Sequence, residues 1–483
     1  MPDTSLSWKE MKNVLAILLA GGAGERLYPL TRDQAKPAVP FGGIYRIIDF
    51  TLSNCVNSGL RRIFCLTQYK SLELTRHLRE GWDLFSGEMG EFIEVIPPMR
   101  RVHSDWYLGT ADAVYQNLES ILIEKPSQVI VLSADQIYKM DYREMLGWHQ
   151  RYDAEVTIAT LQVPIPDATR FGIADIDPVT YRIHDFEEKP QHGHPVLSPF
   201  GENMVSASMG IYIFNTDVLL EALREDAADE NSAHDFGHNV LPNLLHRRRV
   251  IAYDFRDLNN KRVRYWRDVG TIDSYYESNL DLVSVLPELN LYDTAWPIRT
   301  RMHQAPPAKF VFAQEGRRMG VATDSFVSPG VIVSGGRVHR SILSPGVRVN
   351  SYADVDHSIL LPDATIGRYC RVRKAIIDSG VHLPEGASVG EDPQRDRAAG
   401  YHVTEGGVTV VFNNPDEKHP IPPPGRPIRR PGAEPPPLQP DPSSRNPVAT
   451  PSPNPSPQPT RHPSWHPTQR ATQRAAQRPG QHR

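Results

Sequence analysis

From Asn13 to about Leu282, short β-branched runs alternate with longer stretches in which apolar residues recur at helical spacing. Val14–Leu19, Arg62–Leu66, Gln128–Leu132, Val156–Leu161 and Gly210–Phe214 read as strands, and Asp112–Leu122 and Asp141–Gln150 as helices. Strands separated by helices predict an α/β domain with a mostly parallel, mixed sheet covered on both faces. Ligands of such sheets bind at the carboxyl ends of the strands.

The pattern changes over Phe326–Val389. Apolar or small residues recur there at steps of six: Val347, Ala353, Ile359; then Ala364, Cys370, Ile376; then Val381, Ala387. Val349, Val355, Leu361 and Ile366, Val372 form a parallel set, with glycine or proline marking the turns. That period fits neither a helix nor an alternating strand. It predicts a left-handed parallel β-helix built of hexapeptides, in which each coil buries its apolar face against its neighbours. The proline-punctuated stretch Pro287–Pro307 reads as a connection between the two domains. Past about Asn414 the chain turns to Pro, Gln, Ser and Arg, with too few apolar residues to offset chain entropy, and a disordered basic tail is expected. The expected boundaries are an N-terminal extension at 1–12, the α/β domain at 13–285, a linker at 286–320, the β-helix at 321–412 and the tail at 413–483.

Composition narrows the class. A net charge of -4 over 483 residues points to neither nucleic acid nor a membrane surface. Cys55, Cys65 and Cys370 lie too far apart for a disulfide framework or a cysteine-rich zinc site. No apolar run approaches the roughly 20 residues of a membrane span, and the N-terminus lacks the features of a signal peptide. A reduced, cytoplasmic protein is the expectation.

Candidate chemistry begins where the first strand ends. Leu18-Leu19-Ala20-Gly21-Gly22-Ala23-Gly24-Glu25-Arg26 places Gly21, Gly22 and Gly24 in one loop, and Arg26 and Lys36 follow. Backbone N–H groups without a neighbouring Cβ can crowd a phosphate, and mobile cations can neutralise it. A simple glycine turn accounts for a lone GGxG equally well. The spacing matches neither G-x-G-x-x-G nor G-x-x-x-x-G-K-[ST]. Asp135 follows the run Val129–Leu132, where a carboxylate could meet Mg²⁺ at a strand end; capping a helix is the alternative. Asp268, in Tyr265-Trp266-Arg267-Asp268-Val269-Gly270-Thr271, carries the same two readings.

The full glycine-loop string, closing at Lys36-Pro37-Ala38, resembles the signature of the sugar-phosphate nucleotidyltransferases. An ordered set of further strings resembles one branch of them, the glucose-1-phosphate adenylyltransferases. These are Ala35–Val39, Phe41–Gly43, Arg46–Phe50, Leu52–Cys55, Trp106-Tyr107, Gly109–Val114, Ile137–Tyr142, Glu188–Pro190, Ser208–Tyr212, His234–Gly237 and Tyr265–Thr271. With the hexapeptide region they span roughly residues 13 to 412. The resemblance implies a Rossmann-like nucleotidyltransferase domain that makes ADP-glucose and diphosphate from ATP and glucose 1-phosphate with Mg²⁺, in a homotetramer controlled by phosphorylated metabolites. By motif it implies that Asp135 and Asp268 hold the metal, while Arg26 and Lys36 steady the triphosphate. Gln68, Tyr107 and Gly109 would lie near the adenine. Lys189 would bind the sugar phosphate, and Gly172, Glu188, Ser208, Tyr212, Asp235 and Trp266 would line the pocket. Asp33, Gln34 and Pro40 stand where members activated by fructose 1,6-bisphosphate carry Lys, Arg and His, and Ala23 stands where some carry Arg. Those departures argue against fructose 1,6-bisphosphate as a strong activator and AMP as a strong inhibitor. Rival readings are a transferase for UDP-, dTDP- or GDP-sugars, a non-catalytic regulatory subunit, or a hexapeptide acyltransferase using His339, His357 or His382.

Overall fold

A computed structural model describes residues 8–22, 24–98, 106–191, 195–256, 264–314 and 318–413, which fall in one compact unit. Ala23, the start of the N-terminal extension and the basic tail from 414 onward lie outside the described residues.

The first part is a nine-stranded mixed sheet. Val14–Ala20 runs parallel to Arg62–Thr67 on one side and to Gln128–Ser133 on the other, and Phe92–Ile96 extends the parallel half. The expected strand at Gly210–Phe214 is the end of a longer one, Met204–Asn215, which pairs antiparallel with both Gln128–Ser133 and Val156–Pro164. Two apolar clusters cover the two faces, one including Ala16, Leu18, Leu132 and Leu52, the other Leu15, Ile17, Val131 and Leu219. Side chains alternate across a strand, so adjacent residues of Val14–Ala20 enter opposite clusters.

The expected helix at Asp112–Leu122 is instead two, Thr110–Tyr115 and Leu118–Glu124. The buried Asn117 between them donates through Nδ2 to Ala113 O and Tyr107 Oη, and such side-chain bonds compete with the helical ladder. Tyr142–Arg151 is a helix as expected, with Asp141 as its cap accepting from the Arg143 N–H.

Residues 309–411 form three parallel ladders of short strands. Ile332 pairs with Arg348, Arg348 with Thr365, and Thr365 with His382, so each coil takes 16 or 17 residues. In the 17-residue coils two steps are of six residues and the third of five, which is why the apolar sets break between Ile359 and Ala364 and between Ile376 and Val381. All eight residues of those sets are buried. The first strand of the stack, Lys309–Val311, lies inside the stretch read as linker. A third cluster is shared by both parts: Leu27, Val39, Ile137, Val269, Ile272 and Tyr275 pack with Ile342, Ile359, Leu361, Ile376 and Val410. Among the described residues no helix is long and apolar enough to cross a membrane.

Candidate active site

Three residues distant in the chain meet at the carboxyl end of the parallel strands. Lys36 opens the turn Lys36–Ala38, which Arg46 steadies by donating through Nη1 to Ala38 O at 2.7 Å. Asp135 follows Gln128–Ser133. The chain then forms Gln136–Tyr138, which pairs antiparallel with Trp266–Asp268 and sets Asp268 opposite Gln136. This small ribbon carries Asp268 to the neighbourhood of Asp135. The buried Lys36 ammonium donates to Asp135 Oδ2 at 2.8 Å and to Asp268 Oδ1 at 3.2 Å. Neither aspartate caps a helix: Asp135 leads into a strand, and Thr271 is the cap after Asp268.

Burial alone would raise the Asp135 carboxyl. The Lys36 ammonium and the hydrogen bonds from Lys36 and Ser133 outweigh burial and hold it below the ordinary carboxylate range. Burial likewise opposes charge on Lys36, but the two aspartates hold its pKa above the usual lysine value. Two carboxylates therefore converge on one ammonium. Arg170 Nη2 approaches Asp268 Oδ2 at 3.6 Å, and a Cβ at Gly270 would stand 2.8 Å from Asp268 Oδ2 and 3.1 Å from Arg26 Nη2. Gly270 thus lets the Arg26 guanidinium and the Asp268 carboxylate share one corner.

The carboxylate pair suits a divalent cation. Hard oxygen donors match Mg²⁺, which uses one or two carboxylates and completes its shell with water and substrate phosphate. Among the described residues no group of three His, Cys, Asp or Glu is placed to hold a metal ion.

The glycine loop packs directly on this lysine. Gly24 has a left-handed backbone (φ 66°), and a Cβ there would lie 2.9 Å from Lys36 Cβ; Thr31 Oγ1 donates to Gly24 O. A Cβ at Gly21 would press on Gln68 Cβ at 3.0 Å, whereas among the described residues outside its chain neighbours nothing comes within 4 Å of one at Gly22.

Gln68 continues the wall, donating through Nε2 to Tyr107 O at 3.3 Å. Gly109 is sterically required, because a Cβ would stand 2.2 Å from His234 O. This contact brings Thr110 to Asp235, whose Oδ2 accepts from Thr110 Oγ1 at 2.9 Å while Oδ1 accepts from the Gly237 and His238 N–H groups. Glu188 Oε2 occupies a slot left by two glycines, since a Cβ at either Gly172 or Gly237 would lie 2.5 Å from it. Lys189 Nζ meets Glu188 Oε1 at 2.8 Å and is half exposed, on a left-handed backbone (φ 50°). Burial pushes the Tyr212 phenol far above its ordinary value, opposed by a hydrogen bond with Ser208 and assisted by the Glu188 and Asp235 carboxylates. Trp266 is buried, its ring edge-on to Phe171 at 5.5 Å and its Nε1 donating to Gln136 Oε1.

These residues fall into three neighbouring groups: Lys36, Asp135, Asp268, Arg26 and the glycine loop; Gln68, Tyr107 and Gly109; and Gly172, Glu188, Lys189, Ser208, Tyr212 and Asp235. The segment Arg170-Phe171-Gly172 links the first group to the last, and the Lys189 N–H donates to Phe171 O at 3.0 Å. Arg170, Ser133, Thr110 and Gly237 were not singled out in sequence. Arg170 stands two residues before Gly172, and that proximity was the available signal; Ser133 and Thr110 act only through contacts made by folding.

A family model described as nucleotidyl transferase matches residues 15–284, and one described as GlmU-like, C-terminal hexapeptide matches residues 306–411. The glucose-1-phosphate adenylyltransferase of Koribacter versatilis is 57% identical over 414 residues, covering 84% of this chain and 98% of that relative. The enzymes of that name from Rhodopirellula baltica and Teredinibacter turnerae are 50% and 49% identical, covering 83% and 85% of this chain and 90% and 97% of the relatives. Similarity at this level establishes that the chain belongs to the glucose-1-phosphate adenylyltransferase family of nucleotidyl transferases.

Proposed function

We propose that this protein transfers the adenylyl group of ATP to glucose 1-phosphate, releasing diphosphate and forming ADP-glucose. A phosphate oxygen of glucose 1-phosphate attacks the α-phosphorus of ATP as the bond to the bridging oxygen of diphosphate breaks. No proton or covalent intermediate on the protein is required, so alignment and charge stabilisation carry the reaction. The observation that carries this reading is the single ammonium of Lys36 shared between Asp135 and Asp268 beneath the glycine loop.

In this reading Lys36, Arg26 and Arg170 hold the triphosphate and take up the charge that develops on the departing diphosphate. The backbone of Gly21, Gly22 and Gly24 leaves room for phosphate to approach. Gln68, Tyr107 and Gly109 form the adenine wall. Lys189, half exposed on a long flexible stem, binds the phosphate of glucose 1-phosphate as a point charge. Glu188, Asp235, Ser208 and Tyr212 offer oxygens to the glucose hydroxyls, with Gly172 making room for the Glu188 carboxylate and Trp266, packed on Phe171, lining the pocket. A divalent cation, Mg²⁺ in this proposal, would be held by Asp135 and Asp268 and would neutralise the triphosphate. The working form would be a homotetramer that phosphorylated metabolites regulate.

Diphosphate release assayed with each nucleotide tests the substrate assignment, and a preference for UTP or dTTP over ATP would overturn it. Asp135→Ala should lower kcat by orders of magnitude, and Lys189→Ala should chiefly raise KM for glucose 1-phosphate. Wild-type kinetics in both variants would sink the site assignment.

A further inference from the structure

Asp268 is held from behind by a part of the molecule that contains none of the proposed substrate contacts. The helix Ile272–Asp281 begins four residues after it. Ser274 fastens the helix start to the site: its Oγ donates to Asp268 O at 2.8 Å and its N–H donates to Thr271 Oγ1 at 3.2 Å. The neighbouring Asp273 points the other way. Its Oδ1 accepts from Thr404 Oγ1 at 2.6 Å, across 131 residues, in the hairpin between His402–Val403 and Thr409–Val411. A hydrogen bond to a carboxylate belongs to the stronger class.

The hairpin is a stiff fixture. Thr404 Oγ1 also accepts from the Val408 N–H at 3.0 Å, and the Thr404 N–H donates to Val408 O at 3.0 Å. Lys374 Nζ, one coil away, donates to Gly406 O at 2.6 Å, and Thr409–Val411 runs parallel with Ala375–Ile377. Gly406 lies so close that a Cβ there would stand 2.5 Å from Asp273 Oδ1. Farther along the same helix, Tyr276 Oη donates to the His357 carbonyl at 2.6 Å. Val269 and Ile272, on either side of the helix start, share an apolar cluster with Ile376 and Val410 of the coils.

We infer that the Thr404–Gly407 hairpin of the β-helix sets the position of Asp268 through Asp273 and Ser274, so that Thr404 is a positioning residue for nucleotidyl transfer. This rests on the proposed role of Asp268 in holding the metal. A carboxylate must meet Mg²⁺ oxygen geometry within narrow limits, so a small rotation of the helix start matters at the metal before it matters at the sugar. The β-helix then contributes to catalysis as the rigid backing of one metal ligand.

Thr404→Val removes the hydroxyl at nearly constant volume and is assayed by diphosphate release over a magnesium titration. The expected result is a kcat lowered about two- to thirtyfold, the span of couplings carried by packed networks, with a raised half-saturating Mg²⁺ and an unchanged KM for glucose 1-phosphate. Thr404→Ser, which keeps the hydroxyl, should behave as wild type. Wild-type kcat and magnesium dependence in Thr404→Val would overturn the inference. So would a loss in which every kinetic constant worsens together with the thermal midpoint, the mark of a merely structural contact. Asp268→Asn, measured alongside, separates the two levels. If it is as active as wild type, the metal-site reading itself fails; if it is impaired while Thr404→Val is not, only the coupling fails.

Discussion

Replacing Lys36 by Met tests the electrostatic centre most directly. The ammonium lies 2.8 Å from Asp135 and 3.2 Å from Asp268. At an effective dielectric constant of about 20, each contact corresponds to roughly 5–6 kcal/mol of gross attraction. Desolvation of the buried ammonium offsets most of it, and a third of the Asp135 side chain is exposed, so water can replace part of the rest. A net loss of about 1–3 kcal/mol of stability is expected. The pH dependence should change with it. The lowered Asp135 pKa contributes stability that is present above about pH 4 and is lost as pH falls through its folded value. The raised Lys36 pKa contributes stability present up to about pH 10 and lost as pH climbs through its folded value. Lys36→Met should lose both limbs. Thermal unfolding of wild type and variant, with and without Mg²⁺, reads this out. Two carboxylates without their ammonium should bind the cation better, so Mg²⁺ should raise the midpoint of the variant more than that of wild type. Diphosphate release should fall about 10²–10³-fold, as when one preorganised charge stabiliser is removed. Equal stabilisation of both proteins by Mg²⁺, or a wild-type kcat in the variant, would refute the reasoning.

Two further outcomes follow from other contacts. Asp378 is held up to about 6, first by burial and then by the nearby Asp33 charge, against the opposing pull of Arg32 and the Ser379 N–H. Its folded form keeps a proton that the unfolded chain has released, so stability should fall as pH rises from about 4 to 6; Asp378→Asn should abolish that slope and gain about 1–3 kcal/mol at pH 7, and an unchanged denaturation profile would count against it. Gly109→Ala would drive a methyl group against His234 O and Ala233 O. It should cost about 1–3 kcal/mol in denaturant unfolding and raise KM for ATP by displacing the neighbouring Tyr107, and normal ATP kinetics would argue against the adenine wall.

Much of this fold is written in short-range pattern. The strand Val14–Ala20, the glycine loop after it and the turns of the β-helix depend on backbone preferences and on which face of a strand is apolar, and both are visible within a few residues. Even the drop from six to five residues at one corner is present in the spacing of Ile359 and Ala364. Asp135 stood out because a β-run ends just before it. The break at Gln116–Asn117 was not legible, since it follows from Asn117 meeting Tyr107 in the folded chain.

By itself, then, the chain determined a mostly parallel α/β sheet, a hexapeptide coil and a glycine-rich loop after the first strand, because the strands, turns and coils are patterned over residues close together in sequence. The tertiary structure alone decided that Lys36 is shared by Asp135 and Asp268, which are 133 residues apart, through a two-stranded ribbon. It alone brought Arg170 to Asp268 and Thr404 to Asp273. Charge and hydrogen bonding act over a few ångströms of space, and no local pattern encodes which distant segments packing will bring within that range.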